Sequence, residues 1–281
     1  MGWIDPREIQ FGKQLGQGAF KTTYYGTYKK IPVAIGMLNH NVDRNDFERE
    51  IYILKNLNHE NVIKFIGTLM WSRDAHNARC CIVTEYCDRG DLLNFMKKNG
   101  GHGLKLKIAK GIANGIEYLH ARSIIHKDLK SDNILIKSSN RNFITVKISD
   151  FGVSRIKSNI EMMMSTRGAL YWKAPEILGR NLARYNEKID IYSAGLVFWE
   201  IFTWGREGFP YSNLRFINEE HFRRFIERGN RPSVNLLIQN NIGNSIIGLI
   251  QKMWETKPEK RPSIRHVVTT LSTLQSSHAR R

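Results

Sequence analysis

Short runs of β-branched and aromatic residues dominate the first third of the chain. Phe11 to Leu15, Thr22 to Tyr28, Pro32 to Leu38, Phe65 to Met70 and Cys80 to Glu85 are each broken by glycine, asparagine or charge, which is the pattern of strands. One stretch among them has another period: Phe47, Ile51, Leu54 and Leu57 fall at helical spacing, with Asp46 near the start. Beyond about residue 90 the helical period takes over. Ile108, Ile112, Ile116 and Leu119 form one apolar stripe, Ile246, Ile247, Ile250 and Trp254 another, and a further helix is predicted over Glu219–Glu227. No repeat, low-complexity tract or Pro-rich linker divides the chain. The pattern predicts an α+β fold, a small β-rich lobe followed by a larger helical one. A cleft between two such lobes is where a ligand is expected.

Composition narrows the class. With 281 residues, 41% hydrophobic and 25% charged, the chain can bury a real core. Its 43 Lys+Arg against 26 Asp+Glu give a net charge of +17. That excess suits an anionic partner, which could be nucleotide, nucleic acid, an acidic protein face or a membrane surface, or it is simply a solvated basic surface. Cys80, Cys81 and Cys87 are odd in number and two are adjacent, so a reducing compartment is expected and a disulfide framework is not. The N-terminus lacks the apolar core of a signal peptide, and Pro6 occupies the place where a myristoylation motif at Gly2 wants Ser or Thr. The run Ile191 to Trp199, bounded by Asp190 and Glu200, is too short to cross a bilayer. A cytoplasmic protein without a membrane span is expected.

The residues that carry chemistry come in order. Gly16-Gln17-Gly18-Ala19-Phe20-Lys21 lies between two expected strands. Val33-Ala34-Ile35-Gly36 follows, then Glu50 on the first helix and Ile82-Val83-Thr84-Glu85-Tyr86-Cys87 running into Gly90-Asp91. Next come His126-Lys127-Asp128-Leu129-Lys130-Ser131-Asp132-Asn133, Asp150-Phe151-Gly152, Ala174-Pro175-Glu176, Asp190 and Arg261. A two-glycine turn alone is weak evidence, since hairpins use glycine for positive φ.

Taken together, in this order and spacing, these motifs resemble the protein-kinase family over roughly residues 8 to 275. The resemblance implies a bilobal protein-kinase fold in one domain, 8–275, with an N-lobe about 8–84, a hinge about 85–90 and a C-lobe about 91–275. Residues 1–7 and 276–281 are then terminal extensions. It also implies ATP and Mg²⁺, because phosphoryl transfer needs the γ-phosphate held in line and its charge neutralised. By resemblance Asp128 accepts the substrate hydroxyl proton, Lys130 reaches the γ-phosphate, and Asn133 and Asp150 hold Mg²⁺. Leu15, Gly16, Gly18, Thr23, Ala34, Thr84, Glu85, Cys87, Asp91 and Leu135 are the expected nucleotide contacts, Thr84 as gatekeeper and Glu85 and Cys87 through their backbone. His126 is expected to pack under Phe151, and Glu176 and Arg261 to form a buried ion pair.

The family's strand lysine, which pairs with the phosphates and with the helix glutamate, is replaced here by Gly36. Removing a preorganised electrostatic donor costs roughly 10²–10³ in kcat, so a pseudokinase would be the default. A second departure bears on this: Lys21 replaces the third glycine of the loop. Side chains alternate along a strand with period 2. Lys21 shares the parity of Thr23, and Gly36 that of Ala34, and in the family those two positions face the adenine. One strand therefore leaves a gap where an ammonium is needed and its neighbour aims one at it. This pairing is similar to that of the with-no-lysine kinases, while the rest of the chain resembles the tyrosine-kinase-like group. The alternative is a solvated Lys21 and a plain loss at position 36.

Further departures concern regulation and substrate. Lys127 replaces an arginine that pairs with activation-loop phosphate in many relatives, and Ser154, Ser158, Ser165 and Thr166 are candidate acceptors, the last two near Arg167. Ala169 replaces a hydroxyl residue that serine/threonine kinases use to bond the catalytic Asp and Lys. Lys130 resembles serine/threonine kinases, whereas Met253-Trp254 and Phe202-Thr203-Trp204-Gly205 resemble tyrosine kinases and their like. The basic cluster Arg223, Arg224 and Arg228 suits an acidic partner or is a solvated helix face. Three functions stand at this point: a protein kinase with a Ser/Thr acceptor in a protein substrate, dual specificity included; a pseudokinase scaffold; and a nucleic-acid binder. The last has charge alone behind it, so no specific nucleic acid is expected.

Overall fold

In the computed structural model, described over residues 2–18, 21–39, 44–71, 79–101, 103–140, 143–152, 154–156, 167–178 and 185–279, the strand-forming runs assemble first. β1 (Ile9–Gln17), β2 (Lys21–Tyr28), β3 (Ile31–Leu38), β4 (Phe65–Trp71) and β5 (Arg79–Glu85) form an antiparallel sheet in the order β1-β2-β3-β5-β4. Period-2 alternation divides its faces. Val33, Ile35 and Met37 of β3 pack with Cys81 and Val83 of β5 in one small core. The even-numbered Ile82 instead joins Phe47, Ile53 and Leu54 of helix α1 (Arg44–Lys55) in the main core. Ala34, Gly36 and Thr84 share that second face, which looks towards the helical lobe.

The larger lobe is built from α2 (Leu92–Lys98), α3 (Lys105–His120), α4 (Lys188–Thr203), α5 (Glu219–Glu227), α6 (Asn235–Gln239), α7 (Asn244–Met253) and α8 (Ile264–Ala279). Small two-stranded pairings of β6 (Ile124–Ile125) with β9 (Arg155–Ile156) and of β7 (Ile134–Asn140) with β8 (Phe143–Ile148) lie between α3 and α4 in sequence. The stripe Ile108, Ile112, Ile116 and Leu119 is buried on α3, as expected. Every residue of α4 from Ile189 to Thr203 is buried, which makes it a central helix and not an amphipathic one. Burial explains the Ile191 to Trp199 run without a membrane, and no helix of the described residues is long and apolar enough to cross one.

Buried polar groups fasten loops to this core. The side chain of Arg261 is fully buried and its two terminal nitrogens fork onto Glu176 at 2.6 and 2.8 Å. Bonds to the carbonyls of Lys188, Glu255 and Thr256 complete its donor set. On α4, Glu200 accepts from the Ser131 hydroxyl at 2.8 Å and from the Trp172 indole at 2.9 Å, so one carboxyl joins the 131–133 turn to the 167–172 turn. Burial pushes that carboxyl up to about 8 against the pull of the two donors.

The folded chain therefore holds the Glu200 proton more tightly than the unfolded chain does. Its contribution to stability is complete below about 4.5, the ordinary value, and is lost as pH rises through about 8. The melting temperature should fall as pH rises from about 4.5 to about 8, and Glu200→Gln should flatten that fall. Calorimetry across the range checks it; equal slopes in parent and variant would remove Glu200 as the cause.

Candidate functional site

Two lobes supply the facing walls of the cleft. On the sheet side, Thr23 of β2 pairs directly with Gly36 of β3, Tyr25 with Ala34, and Ala34 in turn with Thr84 of β5. Lys21 lies two residues from Thr23 on the same face. Its ammonium reaches Glu50 Oε1 of α1 at 2.9 Å and Asp150 Oδ1 at 2.8 Å. A Cβ added to Gly36 would meet the Lys21 Cδ at 3.4 Å. The aliphatic stem of Lys21 thus fills the space above position 36. Lys21 is 22% exposed and Glu50 only 6%, so water screens this pairing weakly. Burial opposes charge on Lys21, but Asp150 and then Glu50 outweigh it and raise the pKa above the ordinary lysine value. Asp150 is the mirror case: burial raises its carboxyl, and Lys21 draws it below the usual range.

The turn before Lys21 is closed by Gly18 N–H donating to the Lys21 carbonyl at 2.9 Å, while the Asn39 amide donates to the Gly18 carbonyl at 3.1 Å. Neither Gly16 nor Gly18 has positive φ, and nothing lies within 4 Å of a Cβ built on Gly16. Neither glycine is there for a positive φ, and at Gly16 the backbone is left open to the approach of a bulky anion.

The opposite wall comes from the 126–133 segment. His126 and Lys127 donate their backbone N–H groups to Asp190 Oδ2 and Oδ1, both at 2.9 Å, and His120 Nε2 lies 2.9 Å from Oδ2. This anchors Lys127 at φ +71, a conformation that costs a non-glycine residue about 1 kcal/mol or more. Asp128 follows. Its Oδ2 accepts from Lys130 Nζ at 2.9 Å and from Asn133 Nδ2 at 2.8 Å, which leaves Oδ1 for another donor. Asn133 Nδ2 also bonds the Asp128 carbonyl at 2.7 Å. With its nitrogen committed to Asp128, the Asn133 amide oxygen is the atom left for another partner.

Asp150 sits at φ +65, between Ser149 and Phe151. Ser149 donates its N–H and hydroxyl to the Asn133 carbonyl at 2.9 and 3.0 Å. Buried Phe151 meets the His126 ring edge-to-face at 5.0 Å, the packing expected of that pair. Asn133 and Asp150 are therefore held as neighbours. One carboxylate and one amide oxygen suit Mg²⁺, which keeps waters and takes its other ligands from substrate phosphates. Among the described residues no cluster of three His, Cys, Asp or Glu could hold a metal ion by itself.

The hinge residues divide by role. Glu85 is buried, and its carboxylate takes Lys137 at 2.6 Å, Lys147 at 2.8 Å and the Lys64 N–H at 2.9 Å. Burial alone would raise this carboxyl, but the lysine bonds bring it below its ordinary value. Cys87 is buried and its thiol is pushed up to about 12 by burial, which makes it no nucleophile. Asp91 caps α2, accepting from Asn94 N–H at 2.8 Å, and bridges to Leu135 in a short antiparallel contact. Leu15 is 40% exposed at the mouth of the cleft.

Some expectations change. Ser154 is fully buried and donates to the His126 carbonyl at 3.1 Å, so it packs the site and cannot serve as an exposed acceptor. Ser158, Ser165 and Thr166 lie outside the described residues. The Lys127 ammonium rests on the Tyr185 hydroxyl and 4.6 Å from that ring's centroid, a contact with no sequence signal. Arg223 and Arg224 are neutralised on their own helix by Glu220 and Glu227, so they form no free basic patch. Lys173, half-buried, is a site neighbour that the motifs did not mark. Burial lowers its pKa, and Asp128 partly offsets that effect.

The family described as protein tyrosine and serine/threonine kinase matches residues 9–271. The chain is 31% identical over 276 residues to the serine/threonine-protein kinase STY46 of Arabidopsis thaliana, covering 95% of this chain and 44% of that protein. It is 36% identical over 279 residues to the putative serine/threonine-protein kinase/receptor R826 of Acanthamoeba polyphaga mimivirus, covering 96% and 15% respectively. It is 29% identical over 275 residues to the megakaryocyte-associated tyrosine-protein kinase of Mus musculus, covering 96% and 50%. The chain spans half or less of each of these three relatives. With the match running across nearly its whole length, the chain belongs to the protein tyrosine and serine/threonine kinase family.

Proposed function

We propose that this chain is an ATP-dependent protein kinase acting on Ser/Thr hydroxyls, with Lys21 taking the role of the lysine that Gly36 replaces. The observation that carries it is the Lys21 ammonium, held at 2.9 Å from Glu50 and 2.8 Å from Asp150. A lysine so placed offers positive charge where the phosphates of ATP would lie and is fixed in advance by the helix glutamate. That is preorganised electrostatic stabilisation, the largest lever in phosphoryl transfer. Asp128 then orients the acceptor hydroxyl and takes its proton on Oδ1, while Lys130, bonded to Oδ2, meets the charge growing on the transferred group. Asn133 and Asp150 would hold Mg²⁺, which supplies charge neutralisation of the phosphates when bound.

Lys130 and relatives named as serine/threonine kinases favour the Ser/Thr acceptor, and a relative named as a tyrosine kinase keeps dual specificity in view. The second reading is a nucleotide-binding pseudokinase. Ala169 favours it, because alanine brings no hydroxyl to Asp128 and Lys130.

Both readings require ATP·Mg²⁺ to bind. Thermal unfolding should shift upwards with ATP, and further as Mg²⁺ is added, by mass action on the folded state. Absence of any shift at millimolar ATP·Mg²⁺ would sink both.

Lys21→Met separates them. The variant should stay folded, and γ-phosphate transfer to a generic acceptor protein should drop about 10²–10³-fold. Adding Gly36→Lys to that variant should recover part of the rate, since methionine brings no ammonium to repel the new one in the cavity. In the parent, Gly36→Lys should bring no gain, because two ammonium groups in one cavity repel. The resulting non-additivity is read from a double-mutant cycle. Parental activity in Lys21→Met would end the relocation idea; a parent that binds ATP·Mg²⁺ without transfer would establish the pseudokinase.

A further inference from the structure

Lys21 works from the end of a strand. It is the first residue of β2, and its register partner, Leu38, is the last of β3. Position 36 lies inside the sheet instead, paired with Thr23 of β2 on one side and with Ile82 of β5 on the other. A lysine there would have two neighbouring strands to hold its backbone, whereas a strand end is where pairing frays first. Yet the ammonium is held at 2.9 Å from Glu50 and 2.8 Å from Asp150, and a long, flexible stem keeps such distances only if the backbone beneath it stays in place.

Asn39 supplies a restraint at that point. It follows Leu38 directly, and both ends of its side-chain amide are bonded. Nδ2 donates to the Gly18 carbonyl at 3.1 Å, and Oδ1 accepts from the Thr22 hydroxyl at 3.2 Å. The Gly18 N–H in turn donates to the Lys21 carbonyl at 2.9 Å. The bonds form a circuit from Thr22 through Asn39 and Gly18 to Lys21, the chain neighbour of Thr22. A carbonyl oxygen only accepts, so the amide has one orientation that serves both partners. Thr22 pairs with Met37 of the small core and is itself buried. Alternation along β2 therefore turns Thr22 away from the cleft while Lys21 points into it. Asn39 grips the start of β2 from the face opposite the ammonium.

We propose that Asn39 is a positioning residue for Lys21. By tying Gly18 and Thr22 to the end of β3, it holds the first residue of β2, and with it the ammonium, in place for the phosphates. The inference rests on the reading of Lys21 as the phosphate lysine and deepens it. An asparagine that only closed the loop would serve a lysine at position 21 or at position 36 equally; a positioning residue serves the one at 21.

The test pairs amine labelling with kinetics. In a brief pulse of acetic anhydride, read by mass spectrometry on the full chain, Lys21 should be protected in the parent. Asn39→Ala should raise its acetylation about fivefold, the effect of losing a hydrogen bond of this kind. Lys147, paired with Glu85, should label as before. Thr22→Val should act in the same direction as Asn39→Ala, and Thr22→Ser, which keeps the hydroxyl, should not. In transfer assays Asn39→Ala should lower kcat about fivefold and leave the KM of the acceptor protein alone. In the Lys21→Met, Gly36→Lys background, the lysine introduced at position 36 should label at the same rate with or without Asn39. Labelling of Lys21 indifferent to Asn39→Ala, an equal rise at Lys147, or an equal rise at the lysine introduced at position 36 would each overturn the proposal. A parent that transfers no phosphate would end the kinase reading alone, because the labelling decides the role of Asn39 without turnover.

Discussion

A carboxylate buried in the first turn of an apolar helix is costly unless both its oxygens are hydrogen-bonded. Asp190 meets that condition through the loop it holds. Its two oxygens take the N–H groups of His126 and Lys127 and the ring of His120. Burial raises its carboxyl, yet the His120 hydrogen bond and the charges and N–H groups around it bring it below its usual range. The bond network is mutual: without Asp190 the positive φ of Lys127 loses the bond that compensates it, and without the loop Asp190 keeps only the His120 ring as a partner in the core. Asp128, Lys130 and Asn133 inherit their positions from this joint, because each is within six residues of Lys127 and Asp128 is hydrogen-bonded to the other two. This wall of the cleft is thereby tied to the buried central helix α4.

The sheet side depends on a different constraint, the alternation of side chains along β2 and β3. A lysine can reach Glu50 and Asp150 from β2 only if its strand position points into the cleft and nothing on β3 occupies the path. Thr23 opposite Gly36 fixes the first condition, and the missing Cβ of Gly36 meets the second. The two departures from the family pattern are thus sterically coupled. A Cβ at position 36 would already be in van der Waals contact with the Lys21 stem, so a longer side chain would compete with it, and a shorter residue at position 21 would leave Glu50 buried without its cation. Neither change is well tolerated alone, which is a physical reason for them to occur together.

How much of this was readable beforehand follows from the range of each interaction. Strands and helices whose apolar period is unbroken, such as the α3 stripe, were legible because burial and local spacing agree. The direction of the Lys21 side chain was legible in the same way, because it needs one strand register and no tertiary detail. The β2–β3 turn was less legible. Lys29 and Lys30 both sit at positive φ in a two-residue hairpin that usually asks for Asn-Gly, so the turn is imposed by the flanking strand pairing and not by its own residues. Contacts between distant segments that no motif marks were beyond reach. Nothing local marks Glu200 as the partner of Ser131 and Trp172, Ser154 as a packing residue, or Tyr185 as the neighbour of Lys127. Each of these depends on how segments far apart in the chain pass one another, and sequence spacing does not encode that.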